Sequence, residues 1–435
     1  MKLWSKEKTS TAEMIEQFTV GHDRDFDILM AKFDVLGSIA HVTMLGENGM
    51  MEPVHAQQAI EGLKTILSEI ESGQFSIDPA SEDIHSQVEW MLTQRIGEAG
   101  KMIHSGRSRN DQVAVDIKLF LRASLFELKQ EIVQLFDLLI EKSEKHKNTL
   151  IPGYTHLQIA MPSSIGLWLG AYAESLVDDM EFLATAWNIT NKNPLGSGAG
   201  YGSSFPLNRK RTTALLKFKT LNYNSIYAQM SRGKTEKLVS TAIASVASTL
   251  GRLSMDCCLF MNQNFGFIHF PDELTTGSSI MPHKKNPDVF ELVRGKCSRI
   301  QAVPNELSLL INNLPSGYHR EMQLTKEILF PAMAELSSCI QVLKLMFESL
   351  SVRENILQDE KYKYLFSVEA LNELVNQGIP FRDAYAQIGN QIDKGEFNYD
   401  TTKPLKHTHE GSISNLCNDE IRKEMNQVAE RIEHP

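Results

Sequence analysis

At 435 residues, with 42% hydrophobic and 23% charged side chains, the chain reads as a folded protein too long for one ordinary core. A formal charge of −10 argues against nucleic acid as a partner, although a local patch of positive charge can still hold small anions. Five scattered cysteines, Cys257, Cys258, Cys297, Cys339 and Cys417, form no CxxC pair; a reducing cytoplasm without a zinc or other metal site is expected.

The opening residues M-K-L-W-S-K-E-K-T-S contain no apolar run, so no secretory signal is expected. Up to about residue 105 the patterns are those of shorter helices, such as Phe33 to Leu45 and His55 to Ile70. Proline is then absent from 80 to 151, from 207 to 270 and from 332 to 379, which leaves room for long helices. Apolar residues fill that room in steps of four and three. Leu121, Leu125, Leu128, Ile132, Leu135 and Leu139 make one seam, and Val239, Ile243, Val246, Leu250, Leu253, Cys257 and Phe260 a second. Leu329, Met333, Leu336, Ile340, Leu343, Phe347 and Leu350 make a third, and a fourth helix is expected over Ile165 to Trp187. This rhythm belongs to helices packed nearly parallel. Ser240 to Met261 is the most apolar stretch, but Arg252 and Asp256 within it favour a buried helix over a membrane span. After about residue 360 short helices return, broken at Gly378-Ile379-Pro380. The expected fold is all-α: a long-helix bundle over 106–360, flanked by smaller helical domains at 1–105 and 361–435, with few strands.

Polarity concentrates at the joints. H-S-G-R-S-R-N-D-Q (104–112) precedes the first long helix and P-G-Y-T-H-L-Q (152–158) follows it. N-P-L-G-S-G-A-G-Y-G-S-S-F-P (193–206) never forms G-x-G-x-x-G and follows no strand, and there is no P-loop, so nucleotide binding is not expected. His407-Thr408-His409-Glu410 reads as a surface loop rather than a metal site. T-T-G-S-S-I-M-P-H-K-K-N-P-D (275–288) follows the second seam, and L-P-S-G-Y-H-R-E-M-Q-L-T-K (314–326) leads into the third.

Taken in this order, the motifs resemble the fumarase/aspartase superfamily, whose signature loop reads G-S-S-x-M-P-x-K-x-N-P. Gly106 to Gln112, Pro152 to Gln158 and Tyr318 to Glu327 are similar to its argininosuccinate lyase family. The resemblance implies release of fumarate from a substituted succinate, without metal or organic cofactor. It implies Ser278 as the base, activated by Lys284 and by backbone N–H groups beside Gly277, with Lys284 and Asn286 gripping the carboxylate on which charge builds. His156 would be the partner acid, oriented by Glu291. Arg109 and Asn110 suit carboxylate recognition, and Thr155, Gln158, Tyr318, Gln323 and Lys326 would be further contacts. Arg107 reads equally as a helix-end ion pair, and Lys285 as a solvated neighbour.

The pattern departs from the family at His283, where glutamine is usual, and at Met161-Pro162, where Gln-Pro is usual. Asp23 stands where the family has a substrate serine, and Arg232 alone matches its S-D-R-D. Alternatives are a superfamily lyase acting on adenylosuccinate or another succinyl-amine, and a crystallin-like relative without turnover. A helix from about Asp111 to Lys147 would hold two of the motifs on the order of 55 Å apart. Together with the resemblance, this implies a homotetramer whose active sites are shared between chains.

Overall fold

The computed structural model describes residues 13–401 and 403–435. The opening ten residues, read above for a secretory signal, lie outside them. Helices α1 (Glu13–Val20), α2 (Asp23–Glu47), α3 (Pro53–Glu71), α4 (Ile84–Ile96) and α5 (Glu98–Lys101) come first. The bundle is built from α6 (Arg109–Lys145), α7 (Ile165–Thr190), α10 (Lys234–Met261), α11 (Asp288–Leu310) and α12 (Thr325–Glu348), with short α8 (Arg209–Leu215) and α9 (Ser225–Met230) before α10. Helices α13 (Ser367–Asn376), α14 (Phe381–Asp393) and α15 (Asn418–Ala429) close the chain. The fold is all-α, with only short strand pairs among the described residues.

The three seams face one shared core. Leu121, Ile132, Leu139, Ile243, Leu250, Leu336 and Leu343 are all fully buried. Removing each such side chain from water stabilises the fold by roughly 1.5–3 kcal/mol. The fourth helix forms as expected. A fifth, α11, was not foreseen from the proline-flanked loop before it, although Phe290, Val293, Cys297, Ile300, Val303 and Leu307 carry the same buried rhythm. Pro304 sits inside it, and the helix runs on to Leu310.

Residues from Ala31 to Ile103 form a separate apolar cluster, and Leu371, Ala384 and Ile388 form a small one between α13 and α14. Helix α15 instead packs on the bundle through Ile421, Met425 and Val428. By length and composition, Asp23–Glu47, Lys234–Met261 and Arg320–Glu348 could cross a membrane. All three put their apolar faces into the clusters just described.

Antiparallel packing gives the bundle two distinct ends. At one end Thr325 of α12 meets Glu236 of α10, and Arg232 donates to the Met322 carbonyl. At the other, Trp168 and Tyr172 at the start of α7 bond Asp256 near the end of α10, while Arg294 of α11 lies against Met255. The 28 residues of α10 separate the two ends by about 42 Å.

Candidate active site

At the first end, the N-terminus of α6 is built by a capping box. Ser108 caps the helix by accepting from the Asn110 N–H at 3.3 Å, and Asp111 Oδ1 accepts from the Ser108 N–H at 2.8 Å. The other Asp111 oxygen accepts from the N–H groups of Gly196 and Gly198 at 2.8 and 3.0 Å. The glycine-rich stretch is thus a backbone clamp on this helix start. Gly196 and Gly198 have φ of +84° and +60°, and a Cβ on Gly196 would lie 2.8 Å from Arg209 Cγ.

Beside this clamp lies a cleft of about 160 Å³ lined by five of the sequence candidates: Arg109, Asn110, Tyr318, Gln323 and Lys326. Arg109 is engaged by acidic neighbours, 2.9 Å from Asp83 and 3.1 Å from Glu82, and donates to Ser86 Oγ at 2.9 Å. Asp83 is held in place as the N-cap of α4, accepting from the Ser86 N–H at 2.8 Å. Gln323 donates to the carbonyls of Thr19 and Val20. Lys326 Nζ sits 2.5 Å from both Asp23 and Asp27. Burial, then the Asp27 carboxylate, push the Asp23 carboxyl up to about 6, against the pull of Lys326 and Arg232.

Sequence reasoning missed most of the acidic and two of the basic groups here, Asp27, Glu82, Asp83, His85 and Arg320, and noted Arg232 only as the match to S-D-R-D. Asp27 and Asp34 of α2 and Asp116 of α6 all occupy buried, inward positions. Beneath the cleft His85 Nδ1 bonds Asp34 at 2.7 Å, and Gln112 donates to the same oxygen. Burial alone would depress the His85 imidazole, but Asp34, Asp83 and Asp116 raise it to about 9. Asp34, His85 and Asp116 bring three potential metal ligands within 4.8 Å. Buried Arg107 adds a further counter-charge to this group, which is therefore closer to an ion-pair network than to a cation site. Arg107, just ahead of α6, is buried, donates to Ser38 Oγ at 2.9 Å and faces the carboxylates of Asp34 and Asp111. His407 likewise binds Glu369, at 2.8 Å.

The remaining candidates lie at the other end of the bundle. An antiparallel hairpin, Leu150–Thr155 with Gln158–Ser164, turns through His156 and Leu157, with φ of +54° and +60°. Positive φ at both turn residues matches the twist of a two-residue hairpin, here without glycine. Thr155, His156 and Gln158 are all exposed on its tip. The Thr275–Asp288 loop closes on itself, with Thr276 and Gly277 paired to Asn286 and Lys285. Inside it Ser278 Oγ accepts from the N–H groups of Met281 (3.1 Å) and Ile280 (3.4 Å). Asn286 is turned inward toward Thr276 Oγ1, at 3.4 Å. Lys284 and Glu291 are exposed, the latter on the first turn of α11. Lys285 is not simply solvated, since it pairs with Asp272.

Residues 6–302 match the lyase family. The argininosuccinate lyase of Bacteroides thetaiotaomicron is 56% identical over 429 residues, covering 99% of this chain and 96% of that protein. The enzyme of the same name from Desulforamulus reducens is 39% identical over 395 residues, 90% of this chain and 85% of the relative. Among solved structures, EDDS lyase in complex with formate superposes with a TM-score of 0.77 at 21% identity, covering 95% of this chain and 90% of that one. Fumarate lyase:delta crystallin from Brucella melitensis bound to cobalt gives 0.72 at 15%, covering 94% and 91%; at these identities the likeness is one of fold. Matched from end to end by relatives of one name, the chain belongs to the lyase family, within its argininosuccinate lyase branch.

Proposed function

We propose that this lyase cleaves argininosuccinate to arginine and fumarate, in the cytoplasm and as part of arginine biosynthesis. The observation that carries the chemistry is the Ser278 hydroxyl, whose oxygen accepts from two backbone N–H groups inside a closed loop. The same donors stabilise that oxygen as an alkoxide, with Lys284 of the same loop adding positive charge. The alkoxide takes a proton from the carbon beside a succinyl carboxylate. The electron pair spreads into that carboxylate, held by Lys284 and Asn286, and then returns to form the double bond of fumarate. The C–N bond breaks, and the leaving guanidinium nitrogen takes a proton from His156, oriented by Glu291.

Arg109, Asn110, Tyr318, Gln323 and Lys326 bind the rest of the substrate, with Thr155 and Gln158 beside His156. No metal or organic cofactor enters these steps. A substrate cannot bridge the two ends of one bundle, so each site combines the cleft of one chain with the loop of another, in a homotetramer. Large apolar side chains left exposed on the bundle, Phe182, Met255, Leu292, Leu309 and Leu345, support its burial against further copies.

The test is to follow fumarate absorbance with argininosuccinate and, separately, with adenylosuccinate. Fumarate from the first substrate alone is expected. Release from adenylosuccinate would assign another superfamily activity, and release from neither would favour a crystallin-like role.

A further inference from the structure

The clearest feature of the cleft left unused by this mechanism is the double engagement of Lys326. One ammonium, 4% exposed, lies between two carboxylates at 2.5 Å. In that state Lys326 has no charge to spare for a substrate carboxylate, and the three groups together carry a negative charge.

The two carboxylates are not equivalent. Asp27 is 2% exposed, and its second oxygen accepts from the Ile84 N–H at 3.3 Å, which fixes it to the start of α4. Asp23 is the first residue of α2, with a side chain 16% exposed. It faces Asp27 on its own helix, Lys326 on α12 and Arg232 ahead of α10. The surrounding cleft adds Glu82, Asp83 and His85 from the α4 region, Arg109 from α6, and Arg320. Of these, Arg109 is tied to Glu82 and Asp83, and Arg232 to Glu236. Asp23 is therefore the less anchored partner.

We propose that Asp23 is an exchangeable counter-ion in the substrate cleft. A substrate carboxylate displaces it from Lys326 while Asp27 stays in place, and the displaced side chain takes up a proton from solvent. The proton balances the charge, since three carboxylates around one ammonium would otherwise face one another with little water. The carboxyl already protonates near pH 6 in the free protein, so the uptake is accessible at neutral pH. The direction follows from linkage. Ligand binding raises the affinity of Asp23 for its proton, so carboxylate binding tightens as pH falls toward 6 and weakens about tenfold per unit above it. Asp23 is thus a positioning and specificity residue, acting through Lys326.

This inference rests on the proposed substrate cleft, and calorimetry separates it from the activity itself. Arginine, as the probe, is titrated at pH 7.5 into the full-length wild-type protein in buffers of different ionisation enthalpy. The expected result is uptake of close to one proton on binding, absent in Asp23→Asn and Asp23→Ser and restored in Asp23→Glu. At pH 7.5 Asp23→Asn should also show a KM for argininosuccinate lower by about tenfold or more, with the pH slope of KM removed. An unchanged proton count and pH slope in Asp23→Asn would overturn the proposal. Weaker binding in that variant would do so too, and would assign Asp23 to a cationic group of the substrate. Should the variants fail to fold, binding of arginine to the wild type without proton uptake overturns it alone. Wild type that takes up a proton with arginine yet releases no fumarate from argininosuccinate would instead sink the proposed activity and leave the exchange standing.

Discussion

Mixing two inactive variants tests the division of the site between chains. Lys326→Met removes the ammonium of the cleft, and Ser278→Ala the hydroxyl of the loop. In one chain these positions lie at opposite ends of α10, whose 28 residues span about 42 Å. A site using both must draw them from different copies. After random subunit exchange at equal amounts, a cleft is intact with probability one half and so is the loop it meets. About a quarter of sites then hold both wild-type groups in a closed symmetric assembly. The assay is fumarate release after dissociation and reassembly, with exchange verified by mass-tagged subunits. Recovery near a quarter of wild-type activity is expected, against essentially none for either variant alone. No recovery despite verified exchange would refute composite sites. A parallel mixture of His156→Ala and Ser278→Ala asks a finer question, because the hairpin and the loop share one end of the bundle; recovery there shows that those two also come from different chains.

Ser278→Ala should leave the thermal unfolding curve unchanged and reduce kcat to below about a tenth, a barrier increase above ~1.4 kcal/mol; a milder loss removes Ser278 from the base role. Gly166→Ala places a Cβ 2.6 Å from both Lys147 Cα and the Ser143 carbonyl oxygen, where backbone has little room to move. Urea unfolding should show a loss of roughly 1–3 kcal/mol or more, and a shift below 0.5 kcal/mol would mean that the α6–α7 crossing is looser than described. His85 has its folded-state protonation raised to about 9, so its ion-pair contribution is fully present below pH 6.5 and lost as pH rises through 9. The stability gap between wild type and His85→Gln should therefore shrink across that window, and a gap constant from pH 6 to 9.5 contradicts a charged imidazole.

The helices were legible wherever one rhythm ran unbroken. The seam at Val239–Phe260 became α10 because its inward residues step with the helical period whatever the loops do. The Leu150–Ser164 hairpin left no such trace. It holds Pro152 opposite Pro162 in register and turns through His156 and Leu157 without the Asn-Gly or Asp-Gly that marks such turns. Within the cleft, Arg109 and Lys326 were found because they sit in recognisable motifs. Asp27, Asp83 and Glu82 were not, because a lone carboxylate is informative only once its partner is known. Lys326 pairs with Asp27 across 299 positions of sequence, and nothing local announces that pairing.

The grip of Gly196 and Gly198 on Asp111 bears on the order in which the chain is made. The start of α6 leaves the ribosome some 85 residues before the backbone that clamps it. The cleft is completed only when Lys326 follows, to meet carboxylates made about 300 residues earlier. A nascent chain halted before that point lacks α12, the third seam of the shared core, and has no binding site. Release of a truncated product would thus give an inert helical fragment rather than a partly active enzyme. Closing contacts so distant in sequence is slow relative to helix formation, so recovery of ligand binding should lag behind recovery of helix content during refolding.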